Sequence, residues 1–380
     1  MIIEMEKFNL EPIRVLHVLS ALAKNGAESR IMDIYRNINR EKIQFDFAVH
    51  TTKQCDFDNE VKSMGARIYS FPKFKIFNYL QYYKEWEQFF KEHTEIQIIH
   101  IHVTNLAAVI LNAAQKSSVP VRITHSRNSN QSGFVQKVFL ALTRNIIFRK
   151  STQMLAVSKE AGEYVFGKKA MEAGIVRILR NAIDARKYTF NAELRKKIRA
   201  ELEVKDNLVV GHIGRFVEQK NHKFVLDIFK KLQKIKPHAV LILVGIGEKQ
   251  PQMREYAEDI GVGKSVIFMG SRNDVPMLLQ AFDVLLFPSL FEGLPGVVLE
   301  AQAAGLPCVI SDTITKEVAI TDLVKYMSLS EAPKIWAVAV VKQATIPRIN
   351  TIKNFVECGF NIHAIANEYV KMYMKYIVSN

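Results

Sequence analysis

Phe287-Pro288-Ser289-Leu290-Phe291-Glu292-Gly293-Leu294-Pro295-Gly296-Val297-Val298-Leu299-Glu300-Ala301-Gln302-Ala303-Ala304-Gly305-Leu306-Pro307 is the stretch from which the architecture follows. The apolar run Val284–Phe287 in front of it, stopped by Pro288, predicts a buried strand, and Cys308–Ser311 behind it predicts another. Between them Pro295 suits a first helical turn and Gly305 a helix end, so the spacing predicts a helix over Pro295–Ala304. Strand, helix and strand in succession make a parallel βαβ unit. The loop before the helix presents unpaired N–H groups at a strand's carboxyl end, an arrangement that binds anions, phosphate among them. Glu292 precedes the helix and Glu300 lies about two turns along it, so the two carboxylates would reach different parts of one extended ligand. They are not a close acid pair. The bland reading makes Glu292 a helix-terminus charge and Glu300 a solvated residue. Val297, Val298, Leu299 and Ala301 surround Glu300, and a carboxylate in such company needs a partner.

The same alternation extends outward in both directions. Strands at Leu208–Ile213, Ala239–Val244 and Val266–Met269 alternate with helices at Lys223–Lys234, Gln250–Ile260 and after Asp274. In the front half, strands at Ile13–Leu19, Phe45–His50, Ala66–Tyr69, Ile96–His102, Val121–His125 and Gln153–Val157 alternate with helices at Ala27–Ile38, Tyr79–Glu92, Asn105–Ser117, Phe134–Phe148 and Lys159–Phe166. The expected fold class is therefore α/β, with two doubly wound Rossmann-like domains. Residues 1–187 are expected to form the first domain, 188–361 the second, and 362–380 a C-terminal helix packing on the first. Ligands of such sheets sit at the carboxyl ends of the strands, and with two domains facing each other in the cleft between them.

A chain of 380 residues exceeds one hydrophobic core, and 48% apolar with 24% charged residues is ordinary globular composition. Collagen, coiled-coil and low-complexity readings are excluded. No stretch offers about 18 consecutive apolar residues, and Met1–Asn9 lacks an apolar signal core. Cys55, Cys308 and Cys358 form no CxxC pair, which fits a reduced cytoplasmic compartment. The formal charge of +14 favours anionic partners without choosing among nucleotides, lipid headgroups and nucleic acid.

A second segment, Gly211-His212-Ile213-Gly214-Arg215-Phe216-Val217-Glu218-Gln219-Lys220-Asn221-His222, follows the first rear strand. Arg215, a rigid fork, and Lys220, a point charge, flank one loop where Asn221 can cap the next helix, a combination suited to a diphosphate. Together these segments resemble the rear domain of retaining glycosyltransferases of the GT-B fold, family 4, in which an E-x7-E motif and an upstream Arg/Lys pair hold a nucleotide-sugar donor. Glu292 and Glu300 have that spacing. Front-half features are similar too: Asn25-Gly26-Ala27-Glu28 stands where the family has a glycine pair, His125 where it has a histidine facing the reaction centre, and Arg180-Asn181-Ala182-Ile183-Asp184 where it has Asn-Gly-Ile-Asp. Gly26 stands alone, Ala182 replaces a glycine, and Leu294-Pro295-Gly296 replaces a commoner Phe-Gly pair.

The resemblance implies sugar transfer with retention from a nucleoside diphosphate sugar, a UDP-sugar by preference. The acceptor would be a saccharide or lipid-linked saccharide in capsule or exopolysaccharide assembly. Arg215 and Lys220, with the amides near Gly296 and Val297, would stabilise the leaving diphosphate. Glu300 would hold the ribose and Glu292 the donor sugar, with Gly26, Asn181, Gly214 and Leu294 lining the donor site and His125 approaching from the other domain. No metal or other cofactor is expected. Asp56-Phe57-Asp58 reads as a surface loop rather than a cation site, and His100 with His102 lacks a third ligand at useful spacing. Gly245-Ile246-Gly247 is half of a dinucleotide fingerprint, a weak signal better read as a turn beside the donor base. Phe134–Lys150 carries four cations and no acid; with Lys73 and Lys75 among Phe71, Phe74 and Phe77 it could rest on an anionic bilayer. The competing readings are a sugar-nucleotide epimerase on the same scaffold and a basic nucleic-acid-binding protein. The scattered charge disfavours the second.

Overall fold

The computed structural model describes residues 11–24, 26–127 and 134–378. Met1–Asn9 and Asn25, which figure in the sequence reading, lie outside these, as does the side chain of Lys137. The chain divides into two compact units, residues 1–182 with 362–380 and residues 183–361.

The first unit runs β1 (Ile13–Leu19), α1 (Gly26–Asn37), β2 (Ile43–Val49), α2 (Asp58–Ser63), β3 (Ile68–Ser70), α3 (Tyr79–Glu92), β4 (Ile98–Ile101), α4 (Ala107–Lys116), β5 (Val121–Ser126), α5 (Phe134–Lys150), β6 (Gln153–Ala156), α6 (Lys159–Phe166), α7 (Lys168–Glu172) and β7 (Val176–Ile178). Its seven parallel strands are ordered β3-β2-β1-β4-β5-β6-β7, so the strand order reverses between β1 and β4. All of β2 is buried, yet it carries Asp46; Arg14 on β1 clasps that carboxylate at 2.6 and 2.5 Å, and the Arg67 amide donates to it at 2.7 Å. A buried charge is tolerated when it is paired and hydrogen-bonded in this way.

The second unit runs α8 (Ala192–Glu201), β8 (Val209–Ile213), α9 (His222–Gln233), β9 (Val240–Val244), α10 (Gln250–Asp259), β10 (Val266–Phe268), α11 (Val275–Ala281), β11 (Val284–Phe287), α12 (Gly296–Ala303), β12 (Cys308–Ser311), β13 (Val324–Met327), α13 (Pro333–Gln343) and α14 (Ile352–Glu357). Its sheet is ordered β10-β9-β8-β11-β12-β13, all parallel, with the reversal between β8 and β11. The carbonyls that end α11 are collected by arginines: Arg195 and Arg348 both reach Phe282, and Arg199 reaches Ala281 at 2.7 Å. Gly305 turns α12 into β12 at φ +62°, and a Cβ there would stand 2.3 Å from the Ile349 carbonyl oxygen, so no other residue fits unstrained.

The final helix, α15 (Ile362–Val378), belongs to the first unit, where Ile362, Ile365, Tyr369 and Tyr373 join the core of Val15, Phe45 and Ile98. The division at 182/183 comes five residues earlier than the linker expected from sequence. Ile183 bridges to Asn361, and Ala185 and Tyr188 are buried in the second core, so these residues already belong to the second unit.

Candidate functional site

In the second unit the loops that follow β8 and β11 flank the point of strand reversal, the place where open parallel sheets bind ligands. Backbone and side-chain bonds lace them together. The Leu290 amide donates to the Gln219 carbonyl at 2.8 Å, the Gln219 side-chain amide to the Phe291 carbonyl at 2.8 Å, and Asn221 Nδ2 to the Pro288 carbonyl at 3.2 Å. Asn221 adopts φ +54°, a left-handed conformation that Asn tolerates better than most residues. The result is that Lys220 Nζ lies 2.5 Å from Glu292 Oε1 and 4.7 Å from the centre of the Phe287 ring, although the two charges are 72 positions apart. Both side chains are mostly buried. Gly214 backs onto the Lys220 stem, since a Cβ there would meet it at 3.2 Å. Arg215 is exposed, and its side chain makes no hydrogen bond among the described residues.

Behind this pair the Ser289 carbonyl accepts from Ser311 Oγ at 2.5 Å and from Thr313 Oγ1 at 3.1 Å, and Glu292 bridges to Ile314. The loop is therefore rigid where the carboxylate is presented. Helix α12 begins at Gly296 with Pro295 as its cap residue, so the first amides, including those of Gly296 and Val297, have no partner inside the helix. The Leu294 side chain is buried in the second core. Glu300 is partly buried on α12. The Gly245–Gly247 turn packs on the loop after β8, with the Phe216 amide donating to the Ile246 carbonyl at 3.0 Å. A Cβ at Gly245 would stand 2.1 Å from the Gly214 carbonyl oxygen, which gives this glycine a packing role. Burial holds the His212 and His222 imidazoles neutral, pushed down to about 4 and about 2.

In the first unit Gly26 is exposed at the start of α1. Asp56 and Asp58 are engaged locally, accepting from the Lys24 amide at 2.9 Å and the Cys55 amide at 3.0 Å, while Phe57 between them is buried. Asp58 opens α2, so the motif is part loop and part helix rather than loop throughout. His125 is fully buried on β5. Its Nδ1 lies 3.1 Å from His100 Nε2, and its Nε2 has no hydrogen-bond partner among the described residues. Asn181 is buried too and accepts from Arg127 Nη1 at 2.7 Å; the same guanidinium donates through Nε to His102 Nδ1 at 2.9 Å.

His17, His100 and His102 come together with ligand atoms within 4.8 Å of one another, so the third imidazole that spacing did not reveal is supplied by β1. The register explains it: His17 pairs with His100 across β1 and β4, and the side chains of His100 and His102 fall on one face. Burial first, with the Arg127 charge and the neighbouring rings, holds His17, His100, His102 and His125 well below the ordinary histidine range. Sequence reasoning missed His17, Arg127, Tyr369 and Tyr373. Only the order of strands and the return of α15 bring them to His125.

The fold and these sites can be set beside known proteins. Residues 24–187 match the family model described as Glycosyltransferase Family 4, and residues 194–329 that described as Glycosyl transferases group 1. EpsF of Bacillus subtilis (strain 168) is 35% identical over 368 residues, covering 94% of this chain and 96% of that protein. The capsular polysaccharide biosynthesis glycosyltransferase CapH of Staphylococcus aureus is 28% identical over 387 residues, 95% and 99% of the two chains. An Escherichia coli UDP-Gal:alpha-D-GlcNAc-diphosphoundecaprenol alpha-1,3-galactosyltransferase is 30% identical over 227 residues, 57% of each. Among solved structures, Anabaena HepE in complex with UDP-glucose superposes with a TM-score of 0.75 at 18% identity, over 96% of this chain and 99% of that one. With a family model on each unit and EpsF aligned along nearly the whole length, the chain belongs to the family 4 glycosyltransferases and has the GT-B fold.

Proposed function

We propose that this glycosyltransferase moves a sugar, with retention, from a UDP-sugar to a saccharide or lipid-linked saccharide in bacterial surface polysaccharide assembly. The observation that carries the reading is the Lys220–Glu292 pair at 2.5 Å, set at the strand reversal of the second sheet beside the first amides of α12. One cation and one carboxylate at that spot can divide the parts of a donor between them. Lys220, Arg215 and the Gly296 and Val297 amides take the diphosphate, where negative charge grows as the glycosyl bond breaks; each such contact is typically worth about 10²–10³ in rate. Glu292 takes hydroxyls of the departing sugar, and Glu300 the ribose. The leaving phosphate accepts the acceptor's proton, so no protein base is required on the same face. CapH and the E. coli galactosyltransferase, by their names, support the polysaccharide setting and the UDP-sugar with a lipid-linked acceptor.

A lipid-linked acceptor implies contact with a membrane surface. Among the described residues no helix is long and apolar enough to cross a membrane. The surface that fits peripheral contact in the first unit includes Phe77, Leu80 and Leu142, exposed at 86%, 71% and 74%. Phe74, just before Phe77, packs on Phe139 of α5 with ring centres 6.0 Å apart, which joins the two segments. Two of the cations that sequence placed on this surface are occupied elsewhere: Arg144 donates to the Val165 and Tyr164 carbonyls, and Lys150 to Gln115. The apolar side chains, with Lys75 over the Phe77 ring at 5.3 Å, are the stronger membrane feature.

The deciding experiment is a thermal-shift panel of UDP-, GDP- and ADP-sugars followed by a transfer assay with Lys220→Ala. One donor class should raise Tm by mass action. Lys220→Ala should keep its fold and lose about 10²-fold in kcat. Full activity in that variant removes Lys220 from the mechanism, and conversion of donor with no acceptor present points to an epimerase instead.

A further inference from the structure

Four clustered histidines of the first unit, His17, His100, His102 and His125, have a definite hydrogen-bond direction, because one end of their network can only donate. Arg127 carries five N–H donors and no acceptor, and its Nε lies 2.9 Å from His102 Nδ1. His102 must therefore accept at Nδ1 and, being neutral, carry its proton on Nε2. That nitrogen lies 3.0 Å from His17 Nδ1, which leaves the His17 proton on Nε2, 3.5 Å from the Tyr373 hydroxyl. Tyr373 in turn lies 2.7 Å from His100 Nδ1, and His100 Nε2 lies 3.1 Å from His125 Nδ1. Followed through, each ring accepts at Nδ1 and donates at Nε2. His125 ends the series with a proton on the one nitrogen of these four rings that has no partner among the described residues.

We infer that Arg127, acting through His102, His17, Tyr373 and His100, orients His125 as a neutral imidazole whose Nε2–H is held ready to donate to a sugar oxygen, and that His125 does not serve as a base. The ligand half of this inference rests on the glycosyltransferase reading above; the proton arrangement does not. A buried N–H that makes no hydrogen bond is unfavourable, and a hydroxyl or carbonyl oxygen of a saccharide at this edge of the sheet would satisfy it. The arrangement also gives α15 a specific role, since Tyr373 is the link between the β1 and β4 histidines, and Arg127 is held by Asn181 and by Tyr369 at 3.4 Å. A divalent cation is a poor alternative occupant: the nitrogens of His17, His100 and His102 already have partners, and the Arg127 guanidinium would face the ion.

The test is long-range ¹H–¹⁵N NMR of the full chain labelled at histidine, without ligand. Wild type should show all four rings as the Nε2–H tautomer, unchanged between pH 6 and 8. In Tyr373→Phe, His102 and His17 should stay so because Arg127 still anchors them, while His100 and His125 lose the imposed order and show Nδ1–H. An Nδ1–H proton on His125 in wild type overturns the proposal, and so does an unaltered His125 signal in folded Tyr373→Phe. Ring shifts on adding one equivalent of Zn²⁺ that replace the Nε2–H signals also overturn it. Should Tyr373→Phe not fold, the wild-type spectrum alone decides. Because the spectrum is read without substrate, failure of the transfer reading shows separately, in the turnover assay. Where turnover is present, Tyr373→Phe should lower kcat about 5- to 10-fold with donor KM unchanged, the loss of a positioned donor rather than of binding.

Discussion

At the level of single residues Lys220 and Glu292 show how two charges remote in sequence are held together at the strand reversal of the second sheet. Mostly buried and 2.5 Å apart, they neutralise each other. Removing one member of such a pair leaves the other charge uncompensated, which costs about 3–5 kcal/mol in a full interior and less where, as here, part of the side chain reaches water. Glu292→Gln should therefore lower Tm in the absence of ligand. UDP should recover more of that loss than it adds to wild type, because the diphosphate supplies the missing negative charge. Equal UDP-induced shifts in the two proteins, measured by differential scanning fluorimetry, would show that Lys220 does not meet the phosphates. The Glu292–Glu300 spacing and the place of Arg215 and Lys220 after a strand can be read from the sequence. The contact between Lys220 and Glu292 cannot, because it depends on β8 and β11 being neighbours.

Elements decide which side chains remain available for surfaces. Helix α5 has a basic sequence, yet Arg144 donates to the last carbonyls of α6 and Lys150 to a residue of α4, so its charge is less free than its composition implies. Its exposed Leu142 and the exposed Phe77 and Leu80 have no such internal role. Leu80→Asp with Leu142→Asp should reduce flotation with anionic lipid vesicles about tenfold while leaving Tm within a degree or so, since side chains already in water contribute little to folding. Undiminished flotation of the double variant would place the membrane contact elsewhere. Element positions were largely readable from periodicity, with ends shifted by one or two residues, as for α12, which starts at Gly296 rather than Pro295. Helices α2 and α7, strand β13 and helices α13 and α14 were not anticipated. The β13 run Val324–Met327 is short and only partly buried, and α7 and α14 are brief helices with little periodic signal.

Across the whole molecule both units carry buried neutral histidines: His17, His100, His102 and His125 in one, His212 and His222 in the other. Each binds its proton less readily folded than unfolded, so the unfolded chain takes up more protons as pH falls. Stability is then full above the unfolded value of about 6.5 and declines below it, with a limiting slope of about 1.4 kcal/mol per pH unit for each such histidine. For His212 the decline continues to about 4. Calorimetric melts should show Tm nearly constant from pH 8 to 7 and falling steeply from pH 6 to 5, where few carboxylates have yet titrated. A flat Tm to pH 5 would mean that these rings are solvated.

Alternation of apolar runs with helical patterns determined the doubly wound class, and the Glu292–Glu300 spacing with its glycines and prolines determined the family, because both are written in adjacent or nearby residues. Strand order was decided only in three dimensions. It alone places His17 beside His100, Lys220 beside Glu292, and the hydroxyl of Tyr373 between imidazoles 273 and 356 positions away. Parallel pairing joins segments that are remote along the chain, and a local pattern carries no record of which strand will lie next to which.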